Sequence, residues 1–248
     1  MAGQVCLVTG AASGIGAACV TMLADRGAER IIAFDRDEAA LASLQADCEL
    51  LRYSGDVADE GLWQSLEADV RRVDRAVLNA GIANGADIVD MEFDDWRRVL
   101  SANLDGMFLS LRSVMRLASD GASVVLTASV SGLKAEPSTA AYGASKAAVI
   151  QLAKVAAKEG AARRIRVNAI APGGVDTPIW DQTPFFRELV DKHGGNRQAA
   201  LDEMAGIATP LGRFAGPEEV AAQIGFLLSD DAATITGTVL VSDGGYSL

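Results

Sequence analysis

Residues 5–35 place an apolar run, a glycine-rich turn, an amphipathic stretch and a second apolar run in that order, and few architectures accept it. Residues 5–8, Val-Cys-Leu-Val, end in Thr9-Gly10 and read as a buried parallel strand. From residue 15 to 26 the side chains Ile15, Cys19, Val20, Met22 and Leu23 fall at helical spacing, and Gly27 stops the helix. Residues 31–34 are the next strand, closed by Asp35. Strand, loop, helix, strand is a βαβ unit, which belongs in a parallel sheet.

The loop of that unit, Gly10-Ala11-Ala12-Ser13-Gly14-Ile15-Gly16, lies where a dinucleotide loop must lie. Glycines there let the backbone approach a pyrophosphate, which the helix N-terminus holds through exposed N–H groups and its dipole. The spacing is GxxxGxG rather than GxGxxG, and a glycine turn without a ligand is the competing interpretation. Asp35 adds an independent observation. It ends the second strand about 20 residues past the loop, where a carboxylate accepts hydrogen bonds from ribose hydroxyls and repels a 2′-phosphate. NAD is therefore favoured over NADP. Arg36 works against that preference if its guanidinium holds the extra phosphate, and is otherwise a solvated charge.

The alternation continues with helices over 38–46 and 59–70, a weak strand at 50–53, a strand at 75–78 ending in Asn79-Ala80-Gly81, and long helical periodicity over 93–117. Strands follow at 123–127, 166–170 and 239–242, with a helix around Tyr142. Such alternation predicts an α/β doubly wound, Rossmann-type sheet of about seven parallel strands with helices on both faces. No linker interrupts it, so residues 1–248 are read as one dinucleotide-binding catalytic domain. The irregular stretch 177–209 holds Pro178, Pro184, Gly194 and Gly195 and is read as a substrate lid. Its apolar side chains Ile179, Trp180, Phe185, Phe186 and Leu189 either contact a hydrophobic substrate or pack the lid.

A formal net charge of −11 repels phosphate backbones and anionic lipid, so neither nucleic acid nor membrane is expected as a partner. Cys6, Cys19 and Cys48 form no CxxC pair and read as small core residues. The start MAGQVCLVTG has no basic segment before a long apolar run, which predicts a cytoplasmic protein. The solitary His193 lacks the companions of a zinc site, and no metal is expected.

Tyr142 and Lys146 stand four residues apart, on one helix face. A lysine charge beside a tyrosine favours the phenolate and brings a group that normally titrates near about 10 toward neutral pH. A buried tyrosine with a snorkelling lysine is the alternative.

Taken together, the residues resemble the classical short-chain dehydrogenase/reductase family. The marks are TGxxxGIG at 9–16, Asp56-Val57, the Asn79-Ala80-Gly81 triplet, Asn103, Ser129, Tyr142 to Lys146, Pro172-Gly173 and Asp243-Gly-Gly. The resemblance implies a catalytic tetrad of Asn103, Ser129, Tyr142 and Lys146. Ser129 precedes Tyr142 by thirteen positions, the family's usual separation, which leaves Ser131 to the substrate side with Trp180, Phe185 and Phe186. It also implies cofactor contacts from Gly10, Ser13, Gly14, Ile15, Gly16, Asp35, Arg36, Asp56, Val57, Asn79, Ala80, Gly81, Tyr142, Lys146, Pro172, Gly173, Val175 and Thr177. Asn103 would hold a water in a proton relay to Lys146. Departures are Leu78 for the first asparagine of NNAG and Ala128 for the serine that usually precedes the catalytic one. The implied activity is NAD-dependent interconversion of a secondary alcohol and a ketone, in a homotetramer. An NADPH-dependent acyl-carrier ketoreductase is the alternative, disfavoured by Asp35 and the acidic charge. A nucleotide-binding sensor without turnover is a further one, disfavoured by the intact tetrad.

Overall fold

Strands with two apolar faces need helices on both sides, and the computed structural model, which describes the backbone of residues 1–248 and every side chain but that of Gln182, meets that need. Among the described residues seven strands form one parallel sheet: β1 (Val5–Thr9), β2 (Arg30–Asp35), β3 (Glu49–Ser54), β4 (Val73–Leu78), β5 (Ala118–Thr127), β6 (Arg166–Pro172) and β7 (Val239–Ser242). Their order is β3-β2-β1-β4-β5-β6-β7, and every neighbouring pair is parallel. The order reverses between β1 and β4, and at such a switch point the loops beyond the strand ends part to leave a crevice.

The connecting helices are α1 (Gly14–Asp25), α2 (Glu38–Ser43), α3 (Glu60–Asp69), α4 (Phe93–Leu100), α5 (Gly106–Leu117), α6 (Ala140–Gly160), α7 (Pro184–Lys192), α8 (Arg197–Ala208) and α9 (Pro217–Leu228). Alternate residues of β1 enter opposite cores. Val5 and Leu7 pack with Trp63, Leu66, Val114 and Val149 from α3, α5 and α6. Cys6 and Val8 pack with Cys19, Val20, Val220 and Ile224 from α1 and α9. Burial in apolar surroundings pushes the Cys6 and Cys19 thiols up to about 12, as inert core residues.

Several expectations need correction. The helix predicted over 93–117 is interrupted at Ser101–Asp105 by a wide turn with i→i+5 bonding, and Asn103 lies in it. The helix predicted to run to residue 46 stops at Ser43, because Arg52 draws off the Leu41 and Leu44 carbonyls (Nε to O 3.0 Å, Nη2 to O 2.7 Å). The irregular stretch 177–209 contains two helices, α7 with Pro184 in its first turn and α8 capped by the Asn196 side chain. Helix α9 has no counterpart in the sequence reading, although Gly216-Pro217-Glu218-Glu219 marks its start. The Glu219 carboxylate accepts the Gly216 N–H at 2.9 Å, and with Arg213 gripping it first and foremost its carboxyl is held down at about 2.

Trp63 ties α3 to the sheet. Its ring stacks on Phe34 at 4.8 Å, and its indole N–H donates to the Val57 carbonyl at 2.8 Å. Trp63→Ala leaves a large void and an orphaned carbonyl, so urea denaturation should show a loss of about 3–5 kcal/mol.

Candidate active site

The turn between β1 and α1 exists only because its glycines lack a Cβ. A Cβ on Gly16 would overlap the Gly10 carbonyl oxygen, and one on Gly10 would come within 3.0 Å of both the Ala80 Cα and the Asn79 side chain. Gly10 and Gly14 have φ of 65° and 51°, in the left-handed region. Ser13 occupies the α1 N-cap without bonding a first-turn N–H through its side chain. The donors at the helix start therefore face a backbone cradle, the arrangement that receives a phosphate. The predicted loop residues are thus brought together, with Ile15 beside them in the first turn of α1.

Asp35 braces the cradle. One carboxylate oxygen accepts the Ala12 N–H at 2.9 Å and the other the Asp37 N–H at 3.0 Å, while Arg36 is exposed. Asp56 folds back on the Ala58 N–H at 2.9 Å and remains exposed, with Val57 buried beside it. Thr9 has a role that the sequence reading missed. Its buried hydroxyl accepts the N–H groups of Asn79 and Ala80 at 2.9 and 3.1 Å, which pins the β4 end to the glycine loop. On the other flank, Pro172 ends β6 opposite Ser242, and Gly173 lies so close to Asp243 that a Cβ would fall 2.8 Å from its Cα. Val175 and Thr177 are both buried, and Thr177 touches Gly14.

Helix α6 carries Tyr142 and Lys146 to the same crevice. Lys146 is buried and donates to the Thr127 carbonyl at 2.9 Å, a partner that the sequence did not reveal. Its Nζ lies 5.7 Å from the Tyr142 ring centroid. Ser129 stands beside the Tyr142 hydroxyl, and its Oγ accepts the Ser131 N–H at 3.2 Å. Two glycines permit this meeting. A Cβ on Gly132 would sit 2.7 Å from the Lys146 carbonyl carbon, and one on Gly143 would sit 2.9 Å from the Ser131 carbonyl oxygen.

The expected direction of the Tyr142 shift is corrected here. Burial raises it above its ordinary value, against a smaller opposing effect of the nearby Ser129 hydroxyl. Burial also pushes Lys146 down to about 8. Both groups lose solvent, and desolvation is the dominant effect on each.

Asn103 is fully buried and clamps Ile82. Its Oδ1 accepts the Ile82 N–H at 2.8 Å, and its Nδ2 donates to the Ile82 carbonyl at 2.9 Å and to Ser145 at 3.2 Å. A Cβ on Gly81 would lie 3.1 Å from Asn103 Oδ1 and 3.4 Å from Lys146 Nζ. The run Gly10, Ala80, Gly81, Lys146 thereby joins the glycine loop to the ammonium. Asn103→Ala strips two partly buried backbone groups of their partners, and thermal unfolding should register a loss of about 1–3 kcal/mol.

Of the side chains assigned to substrate, Ser131 is half-buried beside the Gly143 turn. Phe185 is 64% exposed, whereas Phe186 is 0% exposed within a lid core with Leu189, Ala200 and Leu201. Phe186 therefore packs the core of the 177–209 stretch and presents no surface to a substrate. Trp180 stacks on Phe214 at 5.6 Å and donates its indole N–H to the Val175 carbonyl at 2.8 Å, so most of its surface serves lid packing too.

Comparison with known proteins agrees with this geometry. A family model described as enoyl-(acyl carrier protein) reductase matches residues 10–247. The chain is 40% identical to a 3-oxoacyl-(acyl-carrier-protein) reductase of Thermotoga maritima, over 98% of this chain and 97% of that one. It is 37% identical to a cis-4-hydroxycyclohexanecarboxylate dehydrogenase of Sinomonas cyclohexanicum, over 98% and 96%. Among solved structures, the L-sorbose reductase of Gluconobacter frateurii complexed with NADPH and L-sorbose superposes with a TM-score of 0.91 at 27% identity, over 100% of this chain and 97% of that one. With its glycine cradle, its Tyr142–Ser129 pair and its buried Lys146, the chain belongs to the classical short-chain dehydrogenases/reductases, a family of oxidoreductases.

Proposed function

We propose that this chain is an NAD-dependent oxidoreductase that interconverts a secondary alcohol and a ketone, as one catalytic domain with a lid over 177–209. The observation that carries the reading is the buried Lys146, bonded to the Thr127 carbonyl at 2.9 Å with its Nζ 5.7 Å from the Tyr142 ring beside Ser129, one glycine away from the nucleotide cradle. The residues fit a nicotinamide nucleotide: Gly10, Ser13, Gly14 and Gly16 would receive the pyrophosphate, with Ile15 facing the nicotinamide end, Asp35 the ribose, and Asp56, Val57, Asn79, Ala80 and Gly81 the adenosine side. Pro172, Gly173, Val175 and Thr177 would line the nicotinamide side. When bound, the nucleotide supplies the hydride acceptor for oxidation and the donor for reduction.

The chain's own residues handle the proton. Ser129 Oγ and the Tyr142 hydroxyl would both bond the substrate oxygen, Ser129 orienting it and Tyr142 taking or giving its proton. Lys146, held by the Thr127 carbonyl, would bond the ribose hydroxyls and, charged, lower the cost of the Tyr142 phenolate. Asn103 holds the loop that brings Gly81 against that ammonium, the place from which it would support a water relay.

Asp35 supports NAD: a carboxylate at the ribose position opposes a 2′-phosphate, although Arg36 stands next to it. The exposed Phe185, Ile207 and Leu211 of the lid region support a hydrophobic substrate. Exposed Phe108 and Val155 on α5 and α6, and Phe226 and Val241 on α9 and β7, are compatible with two interfaces of a homotetramer. An acyl-carrier ketoreductase using NADPH is the second reading, favoured by the Thermotoga maritima relative and opposed by Asp35 and the net charge of −11.

Turnover of a panel of secondary alcohols, ketones and 3-oxoacyl thioesters, run with NAD and NADP in parallel, tests these readings. Oxidation with NAD should exceed that with NADP, and Tyr142→Phe should abolish it. Thioester reduction confined to NADPH would install the second reading instead. The sign of the pH dependence follows from Tyr142. Its raised pKa keeps it protonated at neutral pH, ready as an acid for reduction, while oxidation needs the phenolate. Oxidative kcat/KM should climb by up to about tenfold per pH unit from roughly pH 7 to about 8 and flatten above it, where Lys146, held down at about 8, loses the charge that supports the phenolate, and reductive kcat/KM should not climb. Gly132→Ala should push the Ser129 turn off α6 and cost about a hundredfold in kcat with folding retained by circular dichroism.

A further inference from the structure

The lid's leading segment lies against the glycine loop through Thr177, and a single side chain grips that segment from behind. Arg197 is the first residue of α8. Its Nη1 donates to Asp176 Oδ1 at 2.5 Å, its Nε to Asp181 Oδ1 at 2.9 Å, and its Nη2 to the Thr177 carbonyl at 3.0 Å. The same guanidinium lies 5.7 Å from the centroid of the buried Phe186 ring. All three nitrogens of the fork are thus engaged, with partners on both sides of Thr177 and on its own carbonyl.

An isolated surface ion pair is worth little. A planar fork that closes on two carboxylates and a carbonyl at once differs, because ordering the one side chain orders six consecutive residues, 176–181. The forward side of that segment has little freedom. Thr177 is 8% exposed, and a Cβ on Gly14 would come within 3.1 Å of its Cγ2. Trp180 fixes the middle of the segment through its bond to the Val175 carbonyl. Releasing Arg197 leaves Asp176 and Asp181 without their cation and frees Thr177 to move off the loop.

We infer that Arg197 is a positioning residue for nucleotide binding: it holds Thr177 against the glycine loop, so that order in the lid and occupancy of the cradle are coupled. The inference rests on the nucleotide role proposed above for Gly10 to Gly16. Coupling of this kind is reciprocal, so bound nucleotide should in turn quiet the lid.

The test uses the full chain and two readouts that need no turnover: calorimetric dissociation constants for NAD and NADP, and the rate of chymotryptic cleavage after the exposed Phe185 with and without nucleotide. Arg197→Ala should weaken the better nucleotide by about tenfold and remove the protection that nucleotide gives Phe185, while Arg197→Lys, which restores a charge without the fork, should recover only part of both. Lys192→Ala breaks the 2.8 Å pair with Glu203 elsewhere in the lid and should leave both readouts unchanged. Should Arg197→Ala fail to fold, Asp181→Asn removes one exposed arm of the grip and should weaken binding by about threefold. Wild-type affinity in Arg197→Ala or, failing that, in Asp181→Asn overturns the inference, as does an equal loss in Lys192→Ala. A chain that turns over no substrate, yet binds nucleotide more weakly after Arg197→Ala, refutes the catalytic reading and supports the latch. Full turnover with an unchanged nucleotide KM in Arg197→Ala does the reverse, and wild type that binds neither nucleotide refutes both.

Discussion

The buried ammonium of Lys146 is the constraint to which the centre of the molecule conforms. A charged amine taken out of water costs several kcal/mol unless it finds a partner, and the Thr127 carbonyl at 2.9 Å supplies one from the end of β5. That bond sets the height of α6 against the sheet. One helical turn earlier on the same face, Tyr142 then arrives beside Ser129, which stands two residues beyond Thr127 on the same strand end. Strand and helix each contribute two points to the site, and one hydrogen bond aligns them. Burial still holds Lys146 down at about 8, so the single carbonyl offsets only part of the cost of taking the amine out of water.

Glycines set the remaining distances, three of them where backbone meets backbone and Gly81 where backbone meets the Asn103 and Lys146 side chains. Gly132 and Gly143 let the Ser129 turn sit directly on α6, Gly81 lets the β4 loop pass Asn103 and Lys146, and Gly16 lets α1 begin against the Gly10 carbonyl. A Cβ at any of these positions must displace main chain or a buried side chain, which a packed interior resists. The wide turn at Ser101–Asp105 serves the same end by another route. It directs Asn103 inward so that its amide can satisfy both polar groups of Ile82.

Most of the sheet was legible in the sequence because periodicity and terminators coincide there: Val5 to Val8 before Thr9-Gly10, Ile31 to Phe34 before Asp35, and Arg75 to Leu78 before Asn79 each end where the structure ends them to within a residue. The glycine loop was legible for the same reason. What escaped depends on partners far away in the chain. Arg52 ending α2, Thr127 receiving Lys146, and Thr9 holding Asn79 and Ala80 are contacts between distant positions that no local pattern encodes. Helix α9 is a different failure, since its proline, its glutamates and its apolar positions Val220, Ile224 and Leu227 were all visible. The Tyr142 shift was read with the wrong sign because spacing reveals the neighbouring charge but not the depth of burial, and depth decides.

The 177–209 stretch, proposed above as a substrate lid, shows how specificity can be separated from chemistry in this architecture. Phe186, Leu189, Ala200 and Leu201 form a small core of their own, distinct from the two that flank the sheet, with Trp180 and Phe214 packed against it. Phe214 bears on Gly174, where a Cβ would overlap its ring, and Val175 pairs with Ala215, so the lid is joined to the body next to the β6 end. Side chains that face outward from that core, such as Phe185, contribute little to its stability and are open to change. Those that face inward, such as Phe186, are fixed by packing whatever the substrate. A lid built this way can present a new surface to the crevice while Ser129, Tyr142 and Lys146, anchored on β5 and α6, keep their positions.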